Sequence, residues 1–199
     1  MLIGGGLAVA VAVAVDRIPE TPAADSVDAG FARDMAAHHL QGVQMANLVA
    51  ERSEDPEVES LGFDISATQT NQAGRMQGWL ALWGLSPTGG DPMAWMADAD
   101  HAGHGMATTS SRALMPGMAT EAELANLRSL SGTAFDVEFL RLMIRHHQGG
   151  FGMAQYAAEH AEIDAVQELA ESIEASQSFE VDTMTDMLTA RGGTPLPAP

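Results

Sequence analysis

The chain has 199 residues, with 9 basic and 27 acidic side chains and a formal net charge of −18. That balance excludes the basic surface needed to bind nucleic-acid phosphates. The absence of cysteine excludes disulfides, zinc–thiolate sites, iron–sulfur clusters and thiol nucleophiles. Any soft metal ligand must then come from the 13 methionines, beside the imidazoles of 7 histidines.

Residues 2–15 form a continuous run of small apolar side chains ending at Asp16-Arg17. A membrane-spanning helix needs roughly 20 apolar residues, whereas the core of a signal peptide needs about 7–15. The run suits a signal peptide or a membrane anchor, with Ala12-Val13-Ala14 as a candidate cleavage signal. A buried core helix is the alternative. No Lys or Arg precedes the run, which leaves an upstream start open. Residues 16–27 then read as a spacer, and contact with a membrane is expected only through the N-terminal segment.

From Asp28 onward the chain repeats itself. Asp28, Phe31, Met35, His38-His39, Gly42 and Met45-Ala46 recur as Asp136, Phe139, Met143, His146-His147, Gly150 and Met153-Ala154. Leu61, Ile65, Gln69, Met76, Leu80 and Gly84 recur as Leu169, Ile173, Gln177, Met184, Leu188 and Gly192. The offset is constant and no gap is needed, which identifies a duplicated unit.

The first unit, residues 28–84, predicts two helices, over about residues 28–52 and 56–83. Pro56 suits the first helical position after Asp55, and Gly84 suits a C-terminal cap. Residues 85–119 form a flexible linker with little periodicity that carries Met93, Met96, His101, His104, Met106, Met115 and Met118. Residues 120–192 hold a short helix opened by Thr120 and Glu123, then the second unit. There Asp164 and Gln167 resemble a capping box, and Gly192 closes the last helix. Residues 193–199 are Pro-rich and read as a disordered tail. Each unit alone leaves an apolar stripe exposed, so the two should pack as one all-α domain about a pseudo-two-fold axis.

On a helix turning about 100° per residue, Phe31, Met35, His38, His39, Gly42 and Met45 fall within an arc of about 120°. The second unit repeats the arc with Phe139, Met143, His146, His147, Gly150 and Met153. Four imidazoles are therefore predicted to point into the bundle beside thioethers. Methionine and phenylalanine on such a stripe are ordinarily packing. Adjacent inward histidines in both copies are costly without partners, since each ring has two nitrogens to satisfy. Either a metal or a self-satisfied polar core removes that cost.

Ligand softness points to copper, because thioether suits Cu(I), imidazole suits Cu(II), and copper tops the divalent affinity series. Other transition metals stay open, but di-iron carboxylate bundles require Glu-x-x-His motifs, which this sequence lacks. On the second helix of each unit, Gln69, Gln72 and Met76 share a face, as do Gln177, Glu180 and Met184, and these are candidates to orient or complete a metal shell. Since ligation needs neutral imidazole, affinity is expected to fall below about pH 6.5.

Two stretches of sequence together resemble a bacterial family known as domain of unknown function 305. The first is Phe31-x3-Met35-x2-His38-His39-x2-Gly42-x2-Met45-Ala46 with Gln69-x6-Met76-x2-Trp79-Leu80. The second is Met115-Pro116-Gly117-Met118 with Phe135-Asp136-x2-Phe139-Leu140-x2-Met143-Ile144-x-His146-His147-x-Gly149. The resemblance implies a ferritin-like four-helix bundle, typically exported, with some members linked to copper binding and tolerance. Gln72 departs from the family's usual Glu, and Gly150 from its more frequent Ala.

The expected function is an extracytoplasmic, non-enzymatic copper-binding protein that sequesters the ion, confers tolerance or passes it to a copper-transfer protein. The alternatives are a structural or interaction bundle without metal, and a metal-dependent redox enzyme.

Overall fold

The computed structural model describes residues 21–96 and 114–199. Six α-helices follow in chain order: α1 (Val27–Ala46), α2 (Val49–Arg52), α3 (Pro56–Leu82), α4 (Glu121–Ser129), α5 (Gly132–His160) and α6 (Asp164–Ala190). A 3-10 turn covers Ala94–Met96. There is no strand among the described residues, so the fold is all-α. The long helices pair as α1 with α3 and α5 with α6, and α1 and α5 join the two pairs. The result is a four-helix bundle made of two repeats. No described helix is long and apolar enough to cross a membrane. The expected signal or anchor at residues 1–15 lies outside the described residues.

Local sequence explains most boundaries. Ser26 caps α1 by accepting from Ala29 N, and Asp55 caps α3 by accepting from Glu57 N, with Pro56 in the first turn. Thr120 and Glu123 form a reciprocal capping box at α4, which typically contributes about 1 kcal/mol. Gly84 takes φ +69° after α3 and Gly192 takes φ +73° after α6, the left-handed conformation that glycine enters without a Cβ clash.

Three expectations need correction. The first helix is not continuous over residues 28–52: it breaks after Ala46, and the short α2 resumes at Val49. Asn47 disfavours helix interior because its amide competes for local hydrogen bonds, and here its Oδ1 accepts from Ser66 Oγ at 2.7 Å. Gly62 lets Val49 lie against α3, since a Cβ there would stand 2.8 Å from Val49 Cγ2. In the second repeat α5 runs unbroken through the matching position.

Asp164 does not cap α6. The N-cap is Ile163, which has no side-chain cap of its own. Buried Asp28, on α1 of the other repeat, accepts from Ile163 N at 2.9 Å and Glu162 N at 3.2 Å, so the cap is supplied across the repeats. The tail is also tethered rather than free. Arg141 Nε donates to Thr194 O, and Leu196 packs on the core.

The apolar core is divided in two. One cluster holds Phe31, Met35, Met76, Met153 and Ile173; the other holds Phe139, Met143, Met184, Met45 and Ile65. The pseudo-two-fold exchanges each of these five residues with its counterpart in the other cluster. Between them lies a polar layer containing the histidines.

Candidate metal centre

His38, His39, His146 and His147 are all fully buried. α1 and α5 bring them together because both helices turn the same stripe inward. The His38 and His146 rings lie face to face, with centroids 3.9 Å apart and planes 31° apart. His39 and His147 stand outside this pair, 6.5 Å and 6.1 Å from their chain neighbours.

Hydrogen bonds divide the four rings. His38 Nε2 donates to Pro116 O at 3.0 Å, His146 Nε2 donates to His38 O at 3.0 Å, and His39 Nε2 donates to Gln72 Oε1 at 2.8 Å. In each, Nδ1 is buried and has no hydrogen-bond partner among the described residues. With the proton on Nε2, Nδ1 carries the lone pair that a metal or a donor would use. His147 differs, because its Nδ1 faces Met143 O at 3.0 Å and its Nε2 faces Glu180 Oε2 at 2.6 Å. It has no bare nitrogen. The repeats diverge here because Gln72 occupies the position that Glu180 fills in the second copy.

Burial holds three of these rings neutral. Loss of solvation lowers the His38 pKa to about 4 and the His39 pKa to about 3, and carries His146 well below its ordinary value. Neighbouring imidazoles add to the effect, since a charge on one opposes a charge on the next.

Glycines open two related niches in this layer. A Cβ on Gly42 would meet Gln69 Oε1 at 2.2 Å and His146 Cε1 at 3.0 Å; one on Gly150 would meet Gln177 Oε1 at 2.8 Å and His38 Cε1 at 3.3 Å. Each niche thus joins a glutamine of its own repeat to a histidine of the other. Gln69 and Gln177 are buried, and among the described residues neither amide has a hydrogen-bond partner on its oxygen or nitrogen. Buried polar groups are nearly always paired, so four amide atoms and three imidazole nitrogens without partners among the described residues gather unmet hydrogen-bonding capacity in one layer.

The remaining expected residues are spread around that layer. Met45, Met143 and Met184 belong to one apolar cluster, and Met35, Met76 and Met153 to the other. The four imidazoles share a layer, and among the described residues no group of three or more His, Asp or Glu side chains is placed to hold an ion.

The linker was expected to be flexible, yet both its described ends are docked. Asp34, buried on α1, accepts from Met93 N at 2.7 Å and Trp95 Nε1 at 2.9 Å. Met96 packs beside the core. At the other end, Gln41 pairs its amide with Ala119, donating to O at 2.9 Å and accepting from N at 2.7 Å. Pro116 and Gly117 lie against α5 where Gly149 offers bare backbone; a Cβ there would stand 2.1 Å from Pro116 O. Met115 is buried and Met118 partly so. His101, His104 and Met106 fall outside the described residues.

Asp34 and Gln41 escaped the sequence reading. Their helical-wheel positions, about 260° and 240° from Met35 at zero, lie at the edge of the inward stripe. A polar side chain there is placed to hold a covering segment, and that was the available signal.

A glycine-lined, histidine-rich layer inside a duplicated helical bundle defines the class of protein. The pattern described as domain of unknown function (DUF305) matches residues 28–188, and the chain belongs to that family. Among solved structures it is similar to a DUF305 protein of Streptomyces coelicolor, described as presumed secreted. The TM-score is 0.78 at 42% identity, covering 87% of this chain and 99% of that one. A DUF305 fragment from Deinococcus radiodurans is similar at TM-score 0.66 and 33% identity, covering 82% and 96%. CopM in its Cu(II)-bound form is similar at TM-score 0.62 and 26% identity, covering 83% and 97%, and CopM has also been solved with Cu(I). A search of curated proteins returns no match.

Proposed function

We propose that this protein is an extracytoplasmic copper-binding protein that takes up the ion as cargo, to sequester it or to hand it to a copper-transfer protein. The observation that carries the reading is the set of buried, neutral imidazoles of His38, His39 and His146, each with Nε2 bonded to oxygen and Nδ1 without a partner among the described residues. A neutral imidazole with its second nitrogen anchored is the form that ligates a transition metal. Isolated imidazole nitrogens in a methionine-rich core favour soft, low-coordinate Cu(I). The two copper-bound forms of CopM, 26% identical to this chain, support the same direction, and the Streptomyces relative supports export.

In this reading His38 and His146 supply the principal ligand atoms through the niches at Gly150 and Gly42. His39 is a further donor, and Met35, Met45, Met143 and Met153 are the nearby thioethers. Gln69, Gln177, Met76 and Met184 complete the surroundings, and Glu180 holds His147. The linker methionines and histidines form a weaker outer region, because chain not already ordered must lose entropy to wrap an ion.

One observation favours a second reading, a polar core that binds no metal: every one of the four histidines already has a protein partner on at least one nitrogen. Equilibrium dialysis of the full chain against Cu(I) and Cu(II), with metal analysis, decides between them. Parent protein that retains copper, and a His38→Leu/His146→Leu variant that folds but loses at least tenfold in affinity, are expected. Retention by that variant at parental affinity overturns the assignment of these ligands, and a parent that binds no copper overturns the function.

A further inference from the structure

A cleft of about 190 Å³ opens between α5 and α6, lined by His147, Gln148, Phe151, Gln177, Ser178, Val181 and Asp182. Its floor is polar and buried. His147 is fully buried and Gln177 is 3% exposed, while Gln148, Ser178 and Asp182 stand exposed at the mouth. The Gln177 amide is the link inward. Neither of its polar atoms has a hydrogen-bond partner among the described residues, and both it and the Cε1 edge of His38 border the gap that Gly150 leaves. One side chain therefore lines the outer cleft and also borders the stacked His38–His146 pair.

We propose that this cleft is the entry port through which a copper ion reaches the imidazole layer, with the Gln177 amide as the relay between solvent and His38; the proposal rests on the copper-binding reading. The mouth suits a cation. Asp182 lies on its rim, Glu180 is held against His147 at its floor, and the chain carries net charge −18. Phe151 and Val181 wall the recess and Asp182 is its acidic residue, and acidic charge at a cleft concentrates cations and raises their association rates. Gln177 offers a neutral oxygen, which weakly solvates an ion in transit without trapping it.

The port differs from the binding site in what it controls. Blocking it changes the rate of uptake and leaves equilibrium affinity unaltered, because the ligand atoms remain in place. Ser178 lies on the exposed side of α6, so Ser178→Trp fills the mouth without entering the core. Thr70→Trp, on the exposed side of α3 at the matching position of the first repeat, is the control. Rapid mixing of the full chain with a soluble Cu(I) complex at low salt measures uptake, and equilibrium competition measures affinity.

Ser178→Trp is expected to slow uptake at least tenfold with affinity within twofold of the parent, and Thr70→Trp to leave both unchanged. Asp182→Lys, also at an exposed position, is expected to slow uptake several-fold at low salt, with the difference shrinking as salt screens the rim. Parental uptake rates in both Ser178→Trp and Asp182→Lys overturn the port while leaving copper binding intact. Equal slowing by Thr70→Trp also overturns it. A parent that takes up no Cu(I) overturns the underlying reading and the port together.

Discussion

His38 and His146 stack with ring centroids 3.9 Å apart, and the Nε2 of His146 donates to the backbone oxygen of His38. The two histidines therefore form one unit across the pseudo-two-fold, and substitutions there should not act independently. His38→Leu also removes the donor to Pro116 O, and His146→Leu the donor to His38 O. A buried acceptor left without its donor costs about 1–3 kcal/mol, offset in part by the hydrophobic gain. Each single variant is expected to shift apo stability by no more than about 2 kcal/mol. Their effects should depart from additivity by at least about 0.5 kcal/mol, as contacting residues do. A double-mutant cycle by urea unfolding checks this, and strict additivity would mean that the stacked pair does not behave as a unit.

Gly149 and Gly150 are adjacent but should respond differently to alanine. The new methyl at 149 would meet backbone, Pro116 O at 2.1 Å, whereas at 150 it would meet the end of a side chain, Gln177 Oε1 at 2.8 Å. Backbone cannot yield without moving the whole Pro116–Gly117 turn, while an amide can rotate. Gly149→Ala is expected to cost at least about 2 kcal/mol through overpacking. Gly150→Ala should cost under about 1 kcal/mol, since the added methyl also favours helix over glycine. Thermal unfolding of both variants measures the difference, and the reverse order would contradict the packing of the turn on α5.

The repeat made the fold legible. Asp28 matching Asp136, and Gly84 matching Gly192, define two equal helix pairs whose exposed stripes can be buried only by each other. The inward aim of the four histidines followed from the same periodicity. Their inequality did not. It arises from contacts distant in the chain: Pro116 O on His38, Gln72 on His39, and Glu180 on His147. A helical wheel reports direction, not partners. The break at Asn47 was missed because the apolar period continues through it, and the cap on α6 was misassigned because its acceptor, Asp28, lies in the other repeat.

The depressed histidine pKa values make apo stability depend on pH. Unfolded histidine titrates near 6.5, whereas folded His38 titrates at about 4 and His39 at about 3, with His146 also well below its ordinary value. Between those limits the unfolded chain binds more protons, so stability is full above about pH 6.5 and falls as pH drops. Each such histidine contributes a slope of at most about 1.4 kcal/mol per pH unit. Denaturant titrations at pH 7 and pH 5 should show a clear loss at pH 5, reduced in His39→Leu. An unchanged midpoint between these pH values would argue against buried neutral imidazoles.

The same shifts revise the expected pH dependence of copper binding. From ordinary histidine values, affinity would fall below about pH 6.5. In the folded protein His38 stays neutral until about pH 4, so protons do not compete for its Nδ1 above that point. Cu(I) affinity of the folded chain is expected to change less than threefold between pH 7 and pH 5.5, after correction for the competing chelator. A tenfold or larger fall over that range would place the tight ligands at exposed histidines instead, such as His160.

Met45 and Met153 are fully or almost fully buried at equivalent positions, one in each apolar cluster. Leucine nearly conserves their volume, so the double change Met45→Leu/Met153→Leu tests the sulfur with little change in packing. Stability should fall by under about 1.5 kcal/mol. Thioether is a soft ligand that favours Cu(I), whereas imidazole serves both oxidation states. The double variant is therefore expected to lose at least tenfold in Cu(I) affinity and no more than about threefold in Cu(II) affinity. Competition titrations in both oxidation states measure the two losses. Equal losses would mean that the variant perturbs the histidine layer as a whole. No loss in either state would make these methionines packing alone and leave the imidazoles and linker thioethers as the ligands.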